Sequence, residues 1–171
     1  PAEPFDPDIS EKLIEFIAYL RVLVAEKRAN PGDDLLSGLV VAESEGDKLT
    51  EDELLSMMFL LIVAGHETTV NLIGNGILAL FDHPDEYARL RGQPELLKSA
   101  IEEMLRFLGP DELSLPRWVR EDTRFAGVEL RRGDQIMVLL ASANRDESRF
   151  PEPDRFDISR EPNRHLAFGS G

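Results

Sequence analysis

The segment Ala64-Gly65-His66-Glu67-Thr68-Thr69 places an imidazole, a carboxylate and two hydroxyls inside a stretch whose flanks are almost wholly apolar. Polar groups so placed are a local inconsistency, and such inconsistencies gather at functional sites. On a helix, Ala64, Glu67, Thr68 and Asn71 fall at i, i+3, i+4 and i+7, so small, acidic and hydroxylic groups share one stripe. A hydroxyl backed by a carboxylate in a dry pocket can deliver protons to a bound reactant. Gly65 costs a helix about 1 kcal/mol relative to alanine, and Thr68 can bond back to a carbonyl one turn earlier. The spacing therefore predicts a bulge or bend at this point. The competing reading is a buried polar cluster satisfied by neighbouring helices. Zinc is poorly supported: His66-Glu67 opens like a His-Glu-x-x-His box, but Val70 stands where the second ligand is required.

Glu103 and Arg106 are spaced i, i+3, and Glu102 stands i, i+4 to the same arginine. Such pairs occur on countless exposed helices and contribute about 0.3–0.5 kcal/mol, so alone they predict only a solvated face. Arg117, Arg155, Arg164 and His165 are cations in the less regular second half of the chain. Each would ordinarily be surface, unless an anionic ligand shielded from water needs cationic partners. Phe168-Gly169-Ser170-Gly171 combines an aromatic ring with residues that permit close backbone approach.

The elements that must position these groups are mostly helical. Apolar residues at Leu13, Ile14, Ile17, Leu20 and Val24 predict a helix over 9–27, closed by Asn30-Pro31-Gly32. Asp33 and Asp34 are candidate N-caps for a short helix, which 43–48 breaks. Thr50-Glu51-Asp52-Glu53 is a capping box and starts a long helix predicted to reach Phe81, about 45 Å at 1.5 Å per residue. Its uncharged run Leu54–Gly65 is too short for a bilayer and predicts a buried core helix. Further helices are expected over 84–91 and 94–108, stopped by Gly109-Pro110. After Pro116, short β-prone runs at 118–119, 125–126, 128–130 and 136–140 predict a small sheet, and 144–171 an irregular meander. The fold class is thus mainly α with a small β-sheet region: a helical part over 1–110, a β region over 111–143 and the meander beyond, within a single partial domain.

The whole chain has 171 residues, 42% hydrophobic and 30% charged, which is globular and excludes a low-complexity polymer. Its net charge of −14 repels phosphate backbones and anionic lipid, so neither nucleic acid nor membrane is an expected partner. The first eight residues lack the basic and apolar regions of a secretory signal. With no cysteine, disulfides, thiolate metal sites and cysteine nucleophiles within this chain are excluded.

Taken in order and spacing, four of these signals resemble the cytochrome P450 family, closest to its soluble bacterial members. They are Ala-Gly-His-Glu-Thr-Thr in a long helix, Glu103-x-x-Arg106, Phe150-Pro-Glu-Pro-Asp-Arg-Phe156, and the Phe168-Gly-Ser-Gly terminus. The resemblance covers essentially the whole chain, including Pro31-Gly32-Asp33-Asp34-Leu35-Leu36 and Ala143-Asn144-Arg145-Asp146. It implies a partial fold with a long central helix, a Glu-x-x-Arg helix, the meander and the start of the haem-binding loop.

It also implies haem (haem b, iron) as cofactor, with Ala64 and Gly65 against the oxygen site, and Glu67 and Thr68 as the catalytic acid and alcohol. Arg117 and His165 would bind the propionates, and Phe168 and Gly169 would pack beneath the ring. Glu103, Arg106 and Arg155 would form a structural ion triad. The family's axial cysteine would fall at the fourth position past Gly171, so this chain supplies no metal ligand and is expected to be an inactive piece of something longer. The parent would be a cytoplasmic monooxygenase inserting one atom of dioxygen into a small organic substrate. Its electrons would come ultimately from NAD(P)H, through a ferredoxin/ferredoxin reductase-type partner. The alternative from another class is a non-enzymatic helical binding or interaction module.

Overall fold

A computed structural model describes residues 7–44 and 49–169. The predicted break over 43–48 lies largely outside them, as do Ser170 and Gly171. The chain divides into two compact units, Pro1–His66 and Glu67–Gly171, so the division falls inside the long helix.

In the first unit, α1 (Pro7–Ala29) and α2 (Leu35–Ser44) precede the first half of α3 (Glu51–Asp82). Local chemistry sets both later starts. Asp34 Oδ1 accepts the Ser37 N–H at 2.9 Å, capping α2, and Lys27 pairs with Asp34 Oδ2 at 2.6 Å. The capping box of α3 is reciprocal: Thr50 N–H donates to Glu53 Oε2 at 2.7 Å and Glu53 N–H to Thr50 Oγ1 at 3.3 Å. Leu20, Val24, Val40, Leu54, Leu55 and Met58 interlock as one buried cluster.

Two expectations for α3 are corrected. It is α-helical from Glu51 to Asp82 without a π-turn, so Gly65 is absorbed into the ladder rather than bulged. Nor is it buried: only 6% of its most apolar window is covered, with Leu60, Val70 and Ile73 more than half exposed. The described residues supply too few partners to cover it. By length and composition alone this 32-residue helix, with a mean hydropathy of 1.4 in that window, could cross a membrane, a property it shares with core helices of soluble proteins.

The second unit continues from α3 into α4 (Pro84–Gly92), a 3-10 turn (Pro94–Leu96) and α5 (Leu97–Leu108). The predicted 94–108 helix is thus tightened in its first turn. α5 buries Ala100, Glu103 and Arg106 on one face and Leu105 on another. Gly76 of α3 is buried beneath Met104, whose sulfur would lie 2.6 Å from a Cβ at that position. Ala79, Leu80, Ala100, Phe156 and Ile158 form the core, and the rings of His83, Phe107 and Phe156 pack at 5.1–5.6 Å.

The β region is two separate antiparallel pairs. β1 (Arg117–Trp118) pairs with β4 (Gln135–Ile136), and β2 (Thr123–Phe125) with β3 (Val128–Leu130). The β2–β3 loop is Ala126-Gly127 with φ of 48° and 86°, the double positive φ of a two-residue hairpin turn. The strand expected through Leu140 stops early. Leu139 makes a single bridge to Leu113, and Leu140–Ala143 coils into the short helix α6. Residues 144–169 form the predicted meander, without helix or strand.

Candidate functional site

The meander is held by a buried cluster centred on Glu103. Arg106 donates from Nε to Glu103 Oε2 and from Nη2 to Oε1, both at 2.8 Å, and both side chains have no exposed surface. This bidentate geometry neutralises a carboxylate that burial would otherwise make costly. Arg106 then reaches the meander's backbone, donating to the carbonyls of Asn144 at 2.9 Å, Pro153 at 2.8 Å and Arg155 at 3.2 Å. Glu103 also accepts the Asp157 N–H at 3.0 Å and Asn163 Nδ2 at 3.1 Å.

The third cation is Arg160, not Arg155. Arg160 Nε lies 3.2 Å from both Glu103 oxygens with its side chain 9% exposed, and its other nitrogens donate to the carbonyls of Pro151, Glu152 and Arg155. Arg155 contributes only its backbone oxygen; its guanidinium turns outward, 57% exposed, to Glu152 at 3.3 Å. Glu152, three residues before, takes a φ of 47°; the Arg155 carbonyl faces the cluster, where Arg106 and Arg160 both donate to it. From the sequence Arg155 is named and Arg160, five residues later, is not considered, because sequence alone does not reveal which way the turn faces.

Asp157 sits beside this cluster. Partial burial alone would raise its pKa, but the N–H and hydroxyl of Ser159 and the charges of Arg155 and Arg89 outweigh it and hold the carboxyl below its ordinary value. Asp34 is also lowered, chiefly by Lys27 and then by the Ser37 N–H.

His165 is largely buried, with its side chain 6% exposed, and Nε2 lies 2.9 Å from Glu102 Oε2. Its Nδ1 accepts the Ala167 N–H at 3.2 Å. Leu166 N–H donates to Oδ1 of buried Asn144 at 2.7 Å, and Gly169 N–H to the Leu166 carbonyl at 2.9 Å with Gly169 at φ 76°. The turn so closed presents Phe168, whose ring is 84% exposed. Arg117 lies exposed on β1, with no bonded partner among the described residues.

In α3, Ala64 and Gly65 belong to the first unit and Glu67 and Thr68 to the second; Glu67 is exposed and Thr68 half-buried. A Cβ at Gly65 would meet no atom within 4 Å. Open clefts occur among the described residues. An apolar one of about 290 Å³ is lined by Val119, Phe125, Leu130 and Ile136, and a polar one of about 480 Å³ by Arg149, Glu152, Arg155 and Arg160. None of the residues expected to bind the cofactor lines either.

A long helix with a Gly-His-Glu-Thr-Thr centre, a buried Glu-x-x-Arg pair tied to a meander and an aromatic-glycine turn are the elements that the sequence resemblance implies. The family model for cytochrome P450 matches residues 8–171, and the chain belongs to that family. It is 56% identical over 157 residues to a cytochrome P450 of Bacillus subtilis (strain 168), covering 92% of this chain and 38% of that protein. It is 48% identical over 170 residues to the cytochrome P450 monooxygenase PikC of Streptomyces venezuelae, covering 98% and 41%. Its structure matches that of the myxobacterial cytochrome P450 CYP267B1, in complex with myristic acid, with a TM-score of 0.90 at 49% identity, covering 99% of this chain and 43% of that one. The chain thus spans about two fifths of the length of the curated relatives it matches. These matches do not favour the independent helical module.

Proposed function

We propose that the chain is part of a bacterial haem-thiolate monooxygenase that inserts one atom of dioxygen into a small organic substrate. Electrons come from NAD(P)H through a ferredoxin/ferredoxin reductase-type partner, in the cytoplasm. The observation that carries this reading is the family match over 8–171. On that reading α3 is a helix to be covered by protein rather than lipid.

The residues present suit a flat, apolar cofactor bearing carboxylates. Arg117 is a cation with no bonded partner among the described residues, Phe168 offers an exposed ring, and Gly65 leaves open space where a side chain would stand. Haem, when bound, supplies the iron that binds and activates dioxygen. Arg117 would hold a propionate by a charge-assisted hydrogen bond, Phe168 and Gly169 would pack against the ring, and the small residues Ala64 and Gly65 are assigned to the oxygen site by the family resemblance. Thr68, with Glu67 one residue earlier, would hold a proton on its hydroxyl and pass it inward, the carboxylate restoring it from solvent. The Glu103–Arg106–Arg160 cluster would hold the meander still beneath this site.

Purified full-length protein, reduced under carbon monoxide, tests the assignment. The red-shifted Soret band of a thiolate-ligated ferrous carbonyl is expected, and replacing the cysteine at the fourth position past Gly171 by serine should abolish it. The 171-residue chain, which has no cysteine, should give none. Absence of the band from full-length protein, or its presence with this chain alone, would overturn the proposal.

A further inference from the structure

We infer that Glu102 and His165 form a positioning latch that sets the Leu166–Gly169 turn, and that His165 is a positioning residue rather than an anion ligand. The inference deepens the haem reading and rests on it for the purpose of the turn, not for the existence of the latch. A backbone N–H can only donate, so the Ala167 N–H at 3.2 Å requires an unprotonated Nδ1 on His165. The ring's one remaining proton then sits on Nε2, aimed at Glu102 Oε2 2.9 Å away. Glu102 thereby selects the tautomer that captures the Ala167 amide. Both ring nitrogens are committed within the protein, and no ring donor is left for a carboxylate from outside.

The position of the pair explains its purpose. Glu102 precedes Glu103 on α5, so one helical turn anchors the meander through its buried carboxylate and the following turn through the neighbouring, half-exposed one. The Leu166–Gly169 segment has no helix or strand of its own. Its amides go to Asn144 Oδ1, His165 Nδ1 and the Leu166 carbonyl, and of these acceptors only the imidazole can be switched off by a change of tautomer. Phe168 and Gly169 are carried at the end of this chain of bonds. Among the described residues, Arg117 and Arg164 are left as cations whose guanidinium has no bonded partner.

Hydrogen exchange over 164–169 in the full-length protein as purified, with haem content measured in parallel, tests the latch. Glu102→Ala removes a half-exposed side chain without emptying the core, and should speed exchange of the Ala167 amide on the order of tenfold while leaving 144–160 unchanged. Glu102→Gln retains an acceptor for Nε2–H and should restore the slow exchange. His165→Ala should match Glu102→Ala, and the double variant should exceed neither. Wild-type exchange in Glu102→Ala, or failure of the glutamine to rescue, would overturn the latch. So would haem loss in His165→Ala with none in Glu102→Ala, the pattern of a direct ligand. A protein that never takes up haem would refute the family function while the exchange measurement still judged the latch.

Discussion

Replacing each of three arginines by alanine separates the buried cluster from its surroundings. Arg106→Ala strips Glu103 of two 2.8 Å bonds and leaves the carbonyls of Asn144 and Pro153 without that donor, all in a region closed to water. Removing one partner of a buried pair costs about 3–5 kcal/mol, and the stranded carbonyls place this variant at the upper end. Arg160→Ala removes two 3.2 Å contacts but leaves Glu103 its bidentate arginine, so about 2–3 kcal/mol is expected. Arg155→Ala keeps the backbone oxygen that the cluster uses and loses an exposed pair with Glu152 and a solvent-screened charge near Asp157, so the change should stay within about 0.5 kcal/mol. Urea unfolding of the full-length protein, followed by far-ultraviolet circular dichroism and by haem absorbance, gives the order of midpoints. The expected order is Arg155→Ala, near wild type, then Arg160→Ala, then Arg106→Ala. An Arg155→Ala as damaging as Arg106→Ala, with Arg160→Ala silent, would refute the reasoning and restore Arg155 as the third cation.

In the loaded full-length enzyme, Thr68→Ala should keep the substrate-induced spectral shift and divert electrons from product to peroxide, because proton delivery rather than binding is lost; unchanged coupling of NAD(P)H consumption to product removes Thr68 from that role. Asp34 and Asp157 both titrate below the ordinary carboxylate value in the folded chain, so their stabilising contribution is complete above the ordinary carboxylate range and is lost as pH falls through the lowered values. Melting temperature should therefore fall on acidification below that range, and less steeply in Asp157→Asn; an unchanged slope would show that Asp157 is not linked to folding. The isolated 171-residue chain, with Leu60, Val70, Ile73 and Leu78 on one helix all more than half exposed, should associate and bind a hydrophobic dye; a monomeric, sharply cooperative melt would contradict this.

What could be read from sequence was local. The box at Thr50 and Glu53 closes within four residues, and Gly109-Pro110 ends α5 at Leu108 as expected, so these boundaries fall where local sequence put them. Non-local choices were hidden. Nothing in Glu103-x-x-Arg106 distinguishes a fully buried pair from a solvated one, because burial is supplied by residues about fifty positions later. The apolar run over 136–140 reads as one strand, yet the ladder with β1 ends with Ile136 opposite Arg117, Leu139 makes only a single bridge to Leu113, and the chain turns into helix at Leu140. The meander that brings Arg160 rather than Arg155 to Glu103 includes a positive φ at Glu152, a non-glycine residue that gives no hint of it. Glu102 carried a signal that was misdirected: its i, i+4 spacing pointed to Arg106, whereas its partner is His165, 63 residues away.

The cluster around Arg106 and Arg160 recognises the meander almost entirely by main-chain atoms. The carbonyls of Asn144, Pro151, Glu152, Pro153 and Arg155 and the amide of Asp157 are what it binds, and every residue type offers that oxygen. Side chains along this segment are therefore largely interchangeable as far as the clamp is concerned, whereas its length is not. Dropping one residue between Pro151 and Asp157 would shift every later oxygen out of register with a rigid guanidinium fork, and no substitution could restore the count. The meander behaves as a ruler, irregular in shape and tolerant in composition but fixed in the number of its divisions.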